Sequence, residues 1–512
     1  MKKPLRIAIV VAIIIGLIAF RQLRDTPDAA RAEASSARYV VPAGATAFRF
    51  GSLDFTRCEL SRKRSAATTE AYCAPFEVAE DPQQPQGRRI ALNLAMIKSA
   101  EAPDDDFIVF LAGGPGQAAI EAWPQVASAF APASRRRHVL LLDQRGTGGS
   151  NALDCDLDES ADALVEFDMG TIIEHTRRCR DKVSAYADPA HYTTSVAVED
   201  LETLRQALGA PRFNLVGISY GTRVAQQYLK RHPQGVRSIV LDSPVPNELV
   251  LGGEFARNLD DALKAQFALC TADADCAQAF GDPYAKLMRL RDSLRATPRE
   301  VSFSDPVTFT PTTRRLDEYG LAGLVRLFAY SPESAALIPL SIDQALAGNH
   351  APLMGQLKML QDGMAELAGS GMQLSVACAE DADQAQPDPN AADLLLGNLL
   401  VDVIKAQCTI WPRGVRPADF NEPATGDTPV LVLAGEFDPV TPPRYGEDIL
   451  RHLTRARLLV VKGQGHAVIG RGCLPSLVSR FMDDPDPHKL DISCADVLGP
   501  VPHLINFNGA AP

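Results

Sequence analysis

The sequence has no excess of basic charge. Its 512 residues carry 51 Lys and Arg against 63 Asp and Glu, a net charge of −12. Nucleic-acid binders carry a basic footprint, so no nucleic-acid partner is expected. The one basic cluster, Arg135-Arg136-Arg137, stands just before an apolar strand and reads as a solvated loop end. There is no C-x-x-C pair and no histidine-rich cluster, so no metal site and no cofactor is expected. No internal repeat is visible. The apolar run from Ile7 to Phe20 falls short of the roughly 20 residues that span a bilayer comfortably.

That run is nevertheless informative. It follows a basic start, Met1-Lys2-Lys3-Pro4-Leu5-Arg6, and the pair forms an export signal. Small-residue sites such as Ala30-Arg31-Ala32 and Ala32-Glu33-Ala34 lie far beyond its end at Arg21. An uncleaved anchor over residues 7–20 is therefore favoured over a cleaved signal. Either way the bulk of the chain is exported, periplasmic or otherwise extracytoplasmic, and touches the membrane only through this segment. The basic start stays inside. The ten cysteines agree, because an even count in an exported chain points to disulfides. In order they form neighbouring couples: Cys58 with Cys73, Cys155 with Cys179, Cys270 with Cys276, Cys378 with Cys408, and Cys473 with Cys494. Order alone does not fix that connectivity.

Beyond the leader (1–24), residues 25–45 are rich in Ala, Ser, Arg and Asp and read as a tether. A strand-rich start follows, in which Ile90, Leu92, Leu94 and Met96 alternate onto one face. From about residue 107 short apolar strands alternate with helices: strands at 107–111, 138–142, 213–216 and 238–241, helices at 118–130, 196–208 and 221–231. Continuous apolar strands separated by helices predict a mostly parallel sheet covered on both faces. The alternation stops over 246–426, which reads as mainly helical with one weak strand around Val301-Ser302-Phe303. Sheet signals resume at 429–433 and 456–461. The expected architecture is an α/β core over 46–245 and 427–512, with a helical cap inserted between its late strands.

In such a sheet, ligands bind at the carboxyl ends of the strands. Ser219 follows one, inside Gly217-Ile218-Ser219-Tyr220-Gly221. A serine hydroxyl is a weak nucleophile and needs a constrained, exposed position and a base. The G-x-S-x-G string is weak alone; between a strand and a helix it becomes an elbow, which requires an acid and then a histidine later in the chain. Asp438 and His466 supply them, each just after a late strand. Glu436 is the rival acid. Gly465 is expected to leave the imidazole room to reach Ser219. An oxyanion hole would use the N–H of Tyr220 and one from the loop Ala112-Gly113-Gly114-Pro115-Gly116-Gln117, with Gly114 favoured and Gly113 next.

The segments "GGPG", "LDQRGTGGS", "GISYGT", "DPVTP" and "GQGHAV" resemble the α/β-hydrolase peptidases of the proline iminopeptidase and tripeptidyl aminopeptidase group. Secreted bacterial tripeptidyl aminopeptidase-like proteins are the nearer match, and the resemblance spans about 46–480. It implies an α/β-hydrolase fold, a Ser219–Asp438–His466 triad and an acyl-enzyme. It also implies acidic residues near the cap that bind the substrate's free amine, for which Glu380 and Asp381 are the candidates. Iminopeptidases carry a histidine where this chain has Ala112, which argues against strict proline specificity. The expected activity is thus an exported aminopeptidase acting on peptides. An esterase or amidase acting on small molecules is the alternative, and a non-catalytic binding protein fits less well, having no reason to keep these parts.

Overall fold

The computed structural model describes residues 39–40, 47–61, 68–99, 101, 106–155, 168–365 and 370–508. The expected signal or anchor and most of the tether lie outside the described residues. Two tether residues do not: Tyr39 and Val40 form a short strand paired with Leu60 and Glu59. Among the described residues no helix is long and apolar enough to cross a membrane.

Thirteen strands follow in chain order: β1 (Tyr39–Val40), β2 (Ala47–Phe50), β3 (Leu53–Ser61), β4 (Thr68–Ala79), β5 (Arg89–Ile97), β6 (Phe107–Leu111), β7 (His138–Leu142), β8 (Phe213–Ile218), β9 (Val236–Asp242), β10 (Arg299–Ser304), β11 (Pro311–Leu316), β12 (Val430–Gly435) and β13 (Ala456–Val461). Eleven of them form one sheet with the order β1-β3-β4-β5-β7-β6-β8-β9-β12-β13, β2 pairing with β3. From β7 to β13 every ladder in it is parallel. The remaining strands, β1 to β5, extend it as an antiparallel wing.

The apolar runs explain the parallel half. Successive side chains of a strand point to opposite faces. In β6, Phe107 and Val109 enter one core with Phe213 and Leu215 of β8, while Ile108 and Phe110 enter the other. Helices Thr194–Leu208 and Tyr220–Arg231 close the first core with Leu201, Leu204, Val224 and Tyr228. Helices Ala119–Phe130 and Leu474–Asp483 close the second with Trp123, Phe130, Leu477 and Phe481. Ile90, Leu92, Leu94 and Met96 of β5 all enter the first core, as their alternation predicts.

The segment between β9 and β12 is mostly helical. Helices Phe255–Ala272, Pro283–Ala296, Glu318–Phe328 and Ile338–Leu346 enclose a core of their own with Leu263, Leu287, Val325 and Ile342. Its last part differs: Met372, Val376 and Cys378 of helix Ser370–Glu380 join the first sheet core. The weak strand expected near Val301 is β10, and it pairs antiparallel with β11, which was not anticipated. All five neighbouring cysteine couples are joined as disulfides. Arg137 is not solvated as expected: it is 4% exposed and ion-paired to Asp106 and Asp483.

Candidate active site

β8 ends at Ile218 and the next helix begins at Tyr220, leaving Ser219 alone at the bend. Its φ is 55° and its ψ −123°, a conformation that non-glycine residues rarely adopt and that costs of order 1–3 kcal/mol. The surroundings hold it there. Ser219 N–H donates to the Asp242 carbonyl (2.9 Å), and the Ser219 carbonyl accepts from Thr222 N–H (2.9 Å) and Thr222 Oγ1 (2.6 Å). The flanking glycines are required by contact. A Cβ on Gly217 would lie 2.4 Å from the Gly221 carbonyl oxygen, and one on Gly221 would lie 2.1 Å from that of Leu111. The elbow is therefore a point where three stretches of main chain touch.

Asp438 follows β12 and is 1% exposed. The Asp-Pro-Val-Thr turn satisfies it locally. Its Oδ1 accepts from Val440 N–H and Thr441 N–H (both 2.8 Å), and its Oδ2 from Thr441 Oγ1 (2.9 Å). Oδ2 also accepts from His466 Nδ1 at 2.8 Å. The acid thus fixes the tautomer that carries its proton on Nδ1 and leaves Nε2 unprotonated, the form a general base needs. Among the described residues neither His466 Nε2 nor Ser219 Oγ is engaged in a hydrogen bond, to each other or to a third group. Glu436, the rival acid, is exposed and accepts from Gly463 N–H instead (2.7 Å).

Burial alone would lower the His466 pKa, but the charge and hydrogen bond of Asp438 outweigh it. Asp242 adds to the rise and Arg326 opposes it, and the imidazole ends above its ordinary value of 6.5. For Asp438, burial pushes upward, but His466 and the two turn N–H groups hold the carboxyl below its usual value. The two shifts describe one pair, with the acid ionised and the imidazole made more basic.

Gly465 does not serve to give the imidazole room. A Cβ there would lie 2.4 Å from the Tyr330 carbonyl oxygen, which also accepts from His466 N–H at 2.8 Å. The glycine lets the inserted segment's main chain reach the histidine, and the Tyr330 ring stands edge-on to the imidazole with centroids 5.0 Å apart. In the glycine loop, Gly113 is the residue against the serine: its Cβ would meet Ser219 Cβ at 3.3 Å. Gly114, the favoured donor, is exposed. Tyr220 N–H opens a helix, where the first N–H groups have no intrahelical acceptor.

Glu380 and Asp381 depart from expectation. They are 1% and 0% exposed, and both carboxylates are already engaged. Glu380 accepts from Thr194 N–H (2.7 Å) and Thr194 Oγ1 (2.9 Å), and that hydroxyl lies 2.6 Å from the Tyr220 hydroxyl. Asp381 is ion-paired with buried Arg223 at 3.1 Å. Burial pushes the Glu380 pKa up to about 8, against the pull of the Arg223 charge and the Thr194 hydrogen bonds. Both acids are thus tied to segments beside the elbow helix, Glu380 to Thr194 and Asp381 to Arg223 within that helix. Residues that sequence reasoning missed are Thr441, Tyr330, Asp242 and Ser243. Only Thr441, inside the quoted "DPVTP", carried a local signal.

The chain belongs to the α/β hydrolase fold family, whose profile matches residues 106–470. More particularly, it is a serine-type hydrolase, similar along most of its length to proteins named as peptidases and to one named a putative hydrolase. It is 27% identical to Serine protease Hip1 of Mycobacterium tuberculosis (strain ATCC 25618 / H37Rv) over 467 residues, 84% of this chain and 88% of that one. It is 22% identical to Tripeptidyl aminopeptidase of Streptomyces coelicolor over 469 residues, 84% of each chain. A shorter match, 27% over 139 residues, links 27% of this chain to 33% of Proline iminopeptidase of Neisseria gonorrhoeae.

Proposed function

We propose that this protein is an exported aminopeptidase that releases N-terminal residues or short peptides through an acyl-enzyme on Ser219. The single observation that carries the reading is the strained Ser219 elbow tied through Asp242 to the loop after His466, whose imidazole is bonded to Asp438 at 2.8 Å. Ser219 Oγ attacks the scissile carbonyl while His466 Nε2 takes its proton. Asp438 holds the imidazole and stabilises the imidazolium, and His466 then protonates the leaving amine. Water repeats the sequence on the ester. Tyr220 N–H and an amide of the Gly113–Gly114 loop receive the negative oxygen, helped by the positive end of the helix Tyr220–Arg231. Five disulfides support an extracytoplasmic site of action, and the names of two of the long relatives support a peptide substrate.

The test compares one peptide with a free and with an acetylated N-terminus. Cleavage from the free terminus, lost on acetylation, is the expected result. Fast turnover of a simple acyl ester with no cleavage of the free peptide would favour the esterase or amidase reading instead.

A further inference from the structure

The proposed mechanism leaves one buried acid unused. Asp242 is the last residue of β9 and is 0% exposed. Its carbonyl accepts the Ser219 N–H at 2.9 Å. Its side chain points to the histidine loop, Oδ1 accepting from Val468 N–H (2.9 Å) and Oδ2 from Ile469 N–H (2.8 Å). The next residue completes the set: Ser243 Oγ accepts from Ala467 N–H at 2.8 Å. Three consecutive N–H groups after His466 thus converge on residues 242 and 243. The bend that aims them is strained, with Ala467 at φ 64° and Ser243 at φ 57°. Ser243 N–H is in turn fixed to the Leu433 carbonyl of β12 at 2.9 Å, so the arrangement rests on the sheet itself.

We propose that Asp242 is a positioning residue for the reaction: its main chain holds the nucleophile elbow, its carboxylate holds the histidine loop, and it thereby sets the register between Ser219 and His466. This rests on the nucleophile and base roles given above to those two residues. Asp242 touches neither the imidazole nor substrate and acts through the backbone. Both carboxylate oxygens must accept, because both face N–H donors. An amide in its place accepts at one oxygen and turns an NH2 group against the other N–H. Its charge also acts on His466, in the same direction as Asp438 and against Arg326. The pKa of Asp242 itself stands at about 6: burial, the largest influence, and Asp438 raise it, while the two loop N–H groups and His466 lower it.

The experiment measures kcat, KM and the pH profile of Asp242→Asn and Asp242→Glu in the full chain, with folding checked by thermal melting. Asp242→Asn is expected to lower kcat by about 10- to 100-fold, the scale of an ångström-sized misplacement, with KM changed by less than about 2-fold. The acid limb of its profile should move to lower pH, since losing a nearby negative charge disfavours the imidazolium. Asp242→Glu keeps the charge but displaces the carboxylate, so it should lose kcat with the limb unmoved; it carries the test if the amide variant does not fold. Wild-type kcat and an unmoved limb in a folded Asp242→Asn, even with a lower melting temperature, would overturn the proposal. If Ser219→Ala retains activity, the underlying reading fails instead, so the two failures are distinguishable.

Discussion

Ser219 occupies a backbone conformation that only its neighbours make tolerable, and this is how one serine among many becomes distinct. The strain is met by Asp242, Thr222 and the two glycine contacts. The base is prepared in the same way, by an acid whose turn is completed by Thr441. Two outcomes follow at this scale. The imidazole must be neutral to accept the Ser219 proton, so activity falls as pH drops through its pKa. Because that pKa is raised, the acid limb of kcat/KM should centre above 6.5. Asp438→Asn presents an NH2 group to Nδ1 and favours the wrong tautomer, and kcat should fall about 10⁴-fold with the fold retained. A pH–rate profile and steady-state kinetics check both. The Ser219 bend and the Asp438–His466 pair were legible because each residue follows a strand in a required order. Asp242 and Ser243 were not, because their partners lie 224 to 227 positions away and are set only by the adjacency of β9 and β12. The burial of Glu380 and Asp381 was not legible either, because packing, not local sequence, decides whether an acid faces solvent.

At the scale of elements, the parallel strands organise everything the site needs. β8, β9, β12 and β13 lie side by side, and the nucleophile, Asp242, Asp438 and His466 all come from their carboxyl ends. Leu215 in β8 is 0% exposed in the first core, and Leu215→Ala should cost about 2–5 kcal/mol, read by denaturant unfolding with the slope unchanged. These strands were legible because a strand buried on both faces is apolar throughout. β11 was not, because Pro-Thr-Thr-Arg-Arg-Leu is largely exposed and buries only its final leucine. It exists as the partner of β10, a fact of pairing that local composition does not carry. The helix beginning at Thr194 shows a smaller effect. Its start was expected at 196, and the Thr193 side chain, accepting from Val196 N–H, caps it two residues earlier.

For the whole molecule, the insertion is more than a lid on a finished core. One part encloses its own apolar cluster, another buries Met372 and Val376 in the sheet core, and Tyr330 meets the histidine directly. The site is thus shared between the sheet and the segment inserted into it, and substrate choice is expected to lie with that segment. The proposed chemistry rests first on the nucleophile. The most direct measurement is intact-mass and peptide-mapping analysis of the protein after treatment with a serine-directed phosphonate. One covalent adduct is predicted, mapped to Ser219, forming slowly or not at all in the His466→Ala variant and absent in Ser219→Ala. An adduct on another residue, or undiminished labelling of Ser219→Ala, would contradict it.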